Sequence, residues 1–183
     1  MPHVLRQAVA AFGAAIWLAV ALIAPVGANA APSVEIYYAP EDLPGERLAA
    51  LYGKARRYIY VAVFGMTYPP IVKALVAAHK RGVDVRVISD RGRLNDPKQQ
   101  AALETLRLAG IPIKVNRHEN LMHLKQVVMD DEINTSGSMN QTGSGNRYND
   151  ERLDVLTDPV TSAKARDKFL AMWKNTARYG DWK

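Results

Sequence analysis

The chain of 183 residues contains no cysteine. That absence excludes disulfide staples, a thiolate nucleophile, cysteine-ligated zinc and iron–sulfur sites, and it makes the chain indifferent to the redox state of its compartment. Histidine is scarce, at His3, His79, His118 and His123 only. The acidic triplet Asp130, Asp131 and Glu132 is contiguous rather than spaced along one face. No metal-ligand pattern can therefore be read, and neither a metal nor any other cofactor is expected. No run of five basic residues occurs, although 24 Lys and Arg outnumber 18 Asp and Glu for a net charge of +6. The excess is spread out and leans toward anionic partners. Internal repeats and a linker between domains are also missing.

One long apolar run is present. Arg6 precedes an almost wholly apolar stretch from Ala8 to Val26, and Ala28-Asn29-Ala30 follows with small residues at both flanking positions. This pattern predicts a secretory signal peptide over residues 1–30, cut after Ala30. The competing reading is a retained membrane anchor, since nineteen residues just reach across a bilayer; the Pro25-Val26-Gly27 break and the Ala-x-Ala ending favour cleavage. A single domain over 31–183 remains, in the periplasm or secreted, with no stable membrane association once the leader is gone. At about 150 residues it buries enough surface to fold without staples.

The mature part opens with a strand at Val34–Tyr38 and a helix started by Pro44 and Glu46. The stretch from Arg57 to Phe64 has the aromatic and β-branched content of a strand buried on both faces. A helix follows from Pro69 to Gly82, then a strand at Val83–Ile88, a helix at Pro97–Ala109 and a strand at Ile111–Val115. This alternation, with crossovers long enough for parallel pairing, predicts an α/β fold with a mixed, mostly parallel sheet flanked by helices on both faces. The second half reads as short strands at Leu121–Met129, Ile133–Ser136 and Arg152–Leu156. A loop covers Gln141–Asp150, and a helix covers Pro159–Thr176.

The segment Leu121–Asn140, LMHLKQVVMDDEINTSGSMN, carries the chemistry. His123 and Lys125 are two apart, so on a strand they leave the same face. Ser138 and Asn140 repeat that offset just past Gly137, and a hairpin would bring the pairs together. A lysine supplies a point charge for a phosphoryl group, serine and asparagine supply neutral donors, and histidine serves as nucleophile or proton carrier near neutral pH. Each residue alone is common in strands and turns; their joint spacing is not.

That spacing closely resembles the motif of the phospholipase D superfamily: His-x-Lys, four residues, Asp, six residues, Gly-Ser-x-Asn. Here His123, Lys125, Asp130, Gly137, Ser138 and Asn140 satisfy every position and gap. The Ala55–Asp90 stretch looks like the family's N-terminal half, and Glu151 sits where members carry a glutamate that bonds a catalytic histidine. The resemblance implies a phospholipase D-like domain acting as a metal-independent phosphodiesterase or endonuclease on DNA, with RNA left open. Most members hold two motifs in one polypeptide, whereas this chain holds one. Like the family's small bacterial secreted or periplasmic endonucleases, it is therefore expected to pair as a homodimer with one shared active site. The implied roles are His123 as nucleophile and as acid, and Lys125, Asn140 and Ser138 as phosphoryl ligands. Glu151 would orient His123, and Asp130 would be a carboxylate holding strand ends.

Two other readings remain. A phospholipase D or phosphatidyl transferase would use the same chemistry but want an apolar platform beside the site, and no insertion supplies an obvious one. A nucleic-acid binder with a vestigial site would need none of these residues at these spacings. Among the remaining basic residues, Arg91, Arg93, Lys98, Arg117, Arg147 and Arg152 are candidates to track phosphates, and Tyr148 is a candidate to stack on a base.

Overall fold

The computed structural model describes residues 31–183, and the expected leader lies outside them. The strands are β1 (Ser33–Ala39), β2 (Tyr58–Val63), β3 (Asp84–Ser89), β4 (Ile113–Asn116), β5 (Lys125–Met129), β6 (Ile133–Gly137), β7 (Glu151–Thr157) and β8 (Tyr179–Asp181). The helices are α1 (Pro44–Lys54), α2 (Pro69–Lys80), α3 (Pro97–Leu108), the short α4 (Gly143–Arg147) and α5 (Pro159–Lys174).

Local chemistry sets most boundaries. The four long helices all begin at proline, whose fixed φ suits the first turn and whose missing N–H is not needed there. Asp96 caps α3 by accepting from the Lys98 N–H at 2.9 Å, and Asp158 caps α5 by accepting from the Val160 and Thr161 N–H groups. Gly82 and Gly110, at φ 92° and 87°, take the left-handed positions that stop α2 and α3.

All strands join one sheet in the order β1-β7-β6-β5-β2-β3-β4-β8. Every residue of β2 is buried, as its unbroken apolar run predicts. Alternate residues feed two cores. Ile59, Val61 and Val63 pack under α1, α2 and α3, while Tyr58, Tyr60 and Ala62 pack under α5 with Phe169 and Met172. Burying each such aliphatic side chain is worth about 1.5–3 kcal/mol. Helices on both faces are thus found.

A mostly parallel sheet is not. Only β2–β3 and β3–β4 are parallel; β1–β7, β7–β6, β6–β5, β5–β2 and β4–β8 are antiparallel. The reason is topological. β1 runs in the same direction as β2, as a crossover requires, but β7, β6 and β5 fill the places between them and alternate direction. The region expected as a strand from Leu121 forms ladder only from Lys125, and the expected 141–150 loop contains α4.

The sharp β5–β6 turn puts Asp130 and Asp131 at φ 57° and 58°, a conformation that Asp tolerates better than most residues. From there the Asp130 carboxylate accepts hydrogen bonds from the N–H groups of Arg56, Arg57 and Tyr58 at 2.8, 2.8 and 3.0 Å. It fixes the entry of β2 against the exit of β5. Asp130→Ala leaves these donors to water and is expected to cost about 2–3 kcal/mol, since hydrogen bonds to a charged group contribute about 1.5–3 kcal/mol each and the site is half-exposed. For a domain of this size that lowers Tm by about 5–10 °C, measurable by thermal denaturation. An unchanged Tm would remove Asp130 from the framework.

Candidate active site

The sheet directions bring one end of every strand to the same edge. There lie the carboxyl ends of β1, β2, β3, β4 and β6 and the amino ends of β5, β7 and β8. In open α/β sheets the crevice outside the strand carboxyl ends is where ligands bind. His123, Lys125, Ser138, Asn140 and Glu151 all fall at this edge; Asp130 stands at the opposite end of β5, on the backbone of β2.

His123 precedes β5 and is exposed, held by its neighbours rather than by the ladder. The Met122 side chain is buried in the α5-side core, and its N–H donates to the buried Asp90 carboxylate at 2.6 Å. On the other side the Phe64 N–H donates to the Leu124 carbonyl at 2.9 Å. The preceding loop is closed by Asn116, whose side-chain oxygen accepts from the Arg91 N–H at 2.7 Å while its amide donates to the Asn120 carbonyl at 2.9 Å. A buried carboxylate and a buried amide thus set the loop that presents the histidine. Their signal in the sequence was only their place at the ends of β3 and β4.

The Lys125 Nζ lies 3.0 Å from Nδ1 and 2.9 Å from Nε2 of His123, so the ammonium faces whichever ring nitrogen lacks a hydrogen. Both groups pack on Phe64: the His123 ring tilts against it at 4.9 Å between centroids, and Lys125 Nζ is 5.4 Å from its centroid. Burial holds the Lys125 ammonium below the ordinary lysine range, because desolvation penalises the charged form, while the negative charge of Glu151 pulls in the opposite direction.

The second pair is positioned by a glycine. Gly137 has φ 129°, and a Cβ there would fall 2.1 Å from the Arg152 carbonyl oxygen. That oxygen accepts from the Ser138 and Met139 N–H groups at 3.0 and 3.3 Å. The Ser138 hydroxyl then donates to the Glu151 carboxylate and accepts from the Arg152 N–H at 3.1 Å. Asn140 is fixed next to β2 because the Gly65 N–H donates to its Oδ1 at 3.2 Å. Its amide nitrogen makes no hydrogen bond within the described residues and remains a donor. The following residue closes the stitch, since the Thr67 and Tyr68 N–H groups both donate to the Gln141 carbonyl and the Gln141 N–H donates to the Gly65 carbonyl.

Glu151 is bonded to Ser138 and to the Asn149 amide at 3.2 Å. The expected bond from Glu151 to His123 is not made within one chain. No three His, Asp or Glu side chains gather into a metal-binding group among the described residues. Arg93 also reaches the site, with its guanidinium 5.7 Å from the Phe64 centroid. Arg117 donates to the Thr176 carbonyl, and Arg152 pairs with Asp154 at 2.6 Å. The arrangement can therefore offer an exposed imidazole, one adjacent ammonium and the Asn140 amide to a tetrahedral anion, while the Ser138 hydroxyl hydrogen is taken by Glu151 rather than free for the anion.

Comparison with known proteins gives a consistent result. The family described as "Cardiolipin synthase, PLD-like domain" matches residues 48–173. The mitochondrial cardiolipin hydrolase of Xenopus tropicalis is 30% identical over 133 residues, 73% of this chain, and the chain spans 62% of that relative's length. Among solved structures, the phospholipase D family member Nuc from Salmonella typhimurium superposes with a TM-score of 0.77 at 27% identity, covering 83% of this chain and 99% of that one. NucT from Helicobacter pylori shares the fold, with a TM-score of 0.69 at 20% identity, covering 78% and 96%. The family match spans more than half of the chain and includes the whole His123–Asn140 motif, so this protein belongs to the phospholipase D superfamily as a single-motif member.

Proposed function

We propose that this chain is a metal-independent phosphodiesterase that cleaves DNA, with RNA as a further candidate substrate. It works through a phosphohistidine on His123, in an active site shared by two copies of the chain. The observation that carries this reading is the Lys125 ammonium set against the exposed His123 ring, beside Ser138, Asn140 and Glu151 at one sheet edge. Within that set the exposed His123 imidazole is the group assigned as nucleophile, because it needs no separate base to bare a ring nitrogen near neutral pH.

One ring nitrogen of His123 attacks the phosphorus. The P–O bond to the departing strand breaks, and His123 of the partner subunit gives that oxygen its proton. Water then attacks the phosphorus and returns a proton to the same partner imidazole, and the N–P bond breaks. Lys125, with its counterpart, neutralises the non-bridging oxygens; the Asn140 amide donates to them. Ser138 and Glu151 act as a unit, the carboxylate fixing the hydroxyl and raising the proton affinity of Lys125.

Pairing supplies the second imidazole, because the only other described histidines, His79 on α2 and His118 in the loop before β5, do not belong to a His-x-Lys and Ser-x-Asn set. A surface for the second copy exists on β1. Val34, Ile36 and Tyr38 are 58%, 46% and 50% exposed on the face that α5 leaves open, and Ala39 at the end of the strand pairs with Glu151. The similarity to Nuc over nearly all of that chain supports the nuclease reading. The name of the Xenopus relative favours a second reading, hydrolysis of a phospholipid diester by the same residues. Export through a leader removed after Ala30, to the periplasm or the medium, is also proposed. Among the described residues no helix is long and apolar enough to cross a membrane.

Plasmid DNA is expected to be cut at full rate in excess EDTA, and His123→Ala to lose several orders of magnitude of rate. Mixing wild-type chains with excess His123→Ala chains should lower the activity of each wild-type chain in proportion to the fraction of wild-type partners. Undiminished activity after verified subunit exchange would sink the shared site. Intact mass of exported material should start at Ala31. The pH profile offers a separate check. Lys125 must be charged to hold phosphate, and its depressed pKa in the free protein places the alkaline loss of kcat/KM below the ordinary lysine range. Glu151→Gln removes the influence that raises it, so the alkaline limb should move toward neutral; a limb that stays or rises would separate Glu151 from Lys125.

A further inference from the structure

We propose that the cleft between α2, α3 and α4 is a binding site for an unstacked, single-stranded flank of the polynucleotide whose phosphate occupies the active site. This rests on the phosphodiesterase reading above and specifies its substrate.

The cleft encloses about 900 Å³, the upper end of the range for ligand pockets and room for more than one base. Carbon from the buried Val72 and Ala102 and the exposed Ala101 lines it, together with the rings of Tyr68 and Tyr148. Tyr148 is 82% exposed, with its ring faces available. Apolar lining of this size had no sign in the sequence, because it is assembled from three elements and not from an insertion.

The cleft abuts the catalytic edge. Arg93 lines it and also packs over Phe64, the ring on which His123 and Lys125 rest. Thr142, Arg93 and Asn140 stand around Gly65, within 3.5 to 3.8 Å of where its Cβ would be. A strand leaving the phosphoryl site past Asn140 therefore meets Arg93 and Thr142 next. The Arg93 guanidinium bonds Asp96 at 2.7 Å through one terminal nitrogen, while its Nε is buried without a partner.

Charge identifies the occupant. Lys73 and Lys98 line the cleft and have no carboxylate partner among the described residues, whereas Asp96, its one acidic lining residue, is neutralised by Arg93. Apolar walls and ring faces with unpaired cations at the rim match a chain of bases on a phosphate backbone. An acyl chain would fill the apolar part of the cleft but would leave the Lys73 and Lys98 ammonium groups without an anionic partner, whereas a phosphate backbone supplies one. A duplex presents no free base faces, since its bases are stacked on each other; only an unpaired strand can insert them.

The test separates binding from chemistry. In a His123→Ala background, fluorescence anisotropy of a labelled single-stranded oligonucleotide measures binding without cleavage. Ala101→Trp fills the cleft from an exposed helix position, and Tyr148→Ala removes the ring; each should weaken single-strand binding about tenfold, the scale of one lost base–aromatic stack. Binding of a blunt duplex of the same sequence should change less than twofold. In the otherwise wild-type chain, Ala101→Trp should leave hydrolysis of bis(4-nitrophenyl) phosphate unchanged, because that diester has no flank. Unaltered single-strand binding in both variants overturns the proposal, as does equal weakening for duplex and single strand. Loss of turnover on cardiolipin vesicles with oligonucleotide binding intact would assign the cleft to an acyl chain and also overturn it. Failure of the wild type to hydrolyse any diester would instead count against the phosphodiesterase reading, and the anisotropy result would still decide the cleft.

Discussion

The carbonyl oxygen of Arg152 occupies the space that a side chain at position 137 would need. Because Gly137 leaves it empty, β6 closes on β7 tightly enough for two successive N–H groups to share that oxygen. The chain then leaves the sheet with Ser138 over Glu151 and Asn140 against Gly65. A Cβ at 137 would push β6 outward and carry both residues away from Lys125. The geometry of the proposed phosphoryl site thus follows from one close backbone approach. At the other end of β6, Asp130 in the turn from β5 ties the β5–β6 hairpin to the start of β2, so the hairpin is anchored at both ends, and only one of them is chemical.

Much of this was legible because it is local. Proline before each long helix, aspartate caps and the stop glycines are read within a few residues of where they act. The His123-to-Asn140 spacing is a hairpin's own arithmetic, two strands and a turn, so it marked the site residues without knowledge of the rest. Neighbour order in the sheet is not local. The periodicity around Val34–Tyr38 identifies a strand and the crossover identifies its direction, but nothing in either says that three strands will be inserted before β2. Reading direction as adjacency made the sheet mostly parallel when it is mostly antiparallel. The three-residue β8 and five-residue α4 are too short to show a period. Asp90, Asn116 and Phe64 were missed as site residues because each acts on a partner between 4 and 59 residues away, through burial that no pattern announces.

The electrostatics of the site come from opposing demands on Lys125. Partial burial beside Phe64 weakens its hold on a proton, and Glu151 strengthens it. A phosphoryl anion arriving at the site adds a second negative neighbour and favours the ammonium further, since an opposite charge at short range stabilises the charged form. Binding and protonation of the lysine are therefore linked in the direction that chemistry needs. Glu151 restrains that linkage by keeping the group charged before substrate arrives, and it also takes the Ser138 hydroxyl hydrogen, so one carboxylate sets the charge of Lys125 and the position of Ser138.

The proposed assembly and the proposed strand-binding cleft use different faces of the sheet. Glu35 and Tyr37 of β1 turn toward α1, where Arg47 pairs with Glu35 at 2.7 Å. Val34, Ile36 and Tyr38 must then point to the opposite face, because side chains alternate along a strand. The cleft lies on the α1 side, among α2, α3 and α4. A second copy covering the β1 row would leave each cleft open, and a strand lying in the cleft would leave the β1 row free. The two demands meet only at the catalytic edge, where Glu151 faces the end of β1 and Asn140 faces Gly65. A phosphate bound there would be approached by a partner histidine from one side and keep its flanking bases on the other.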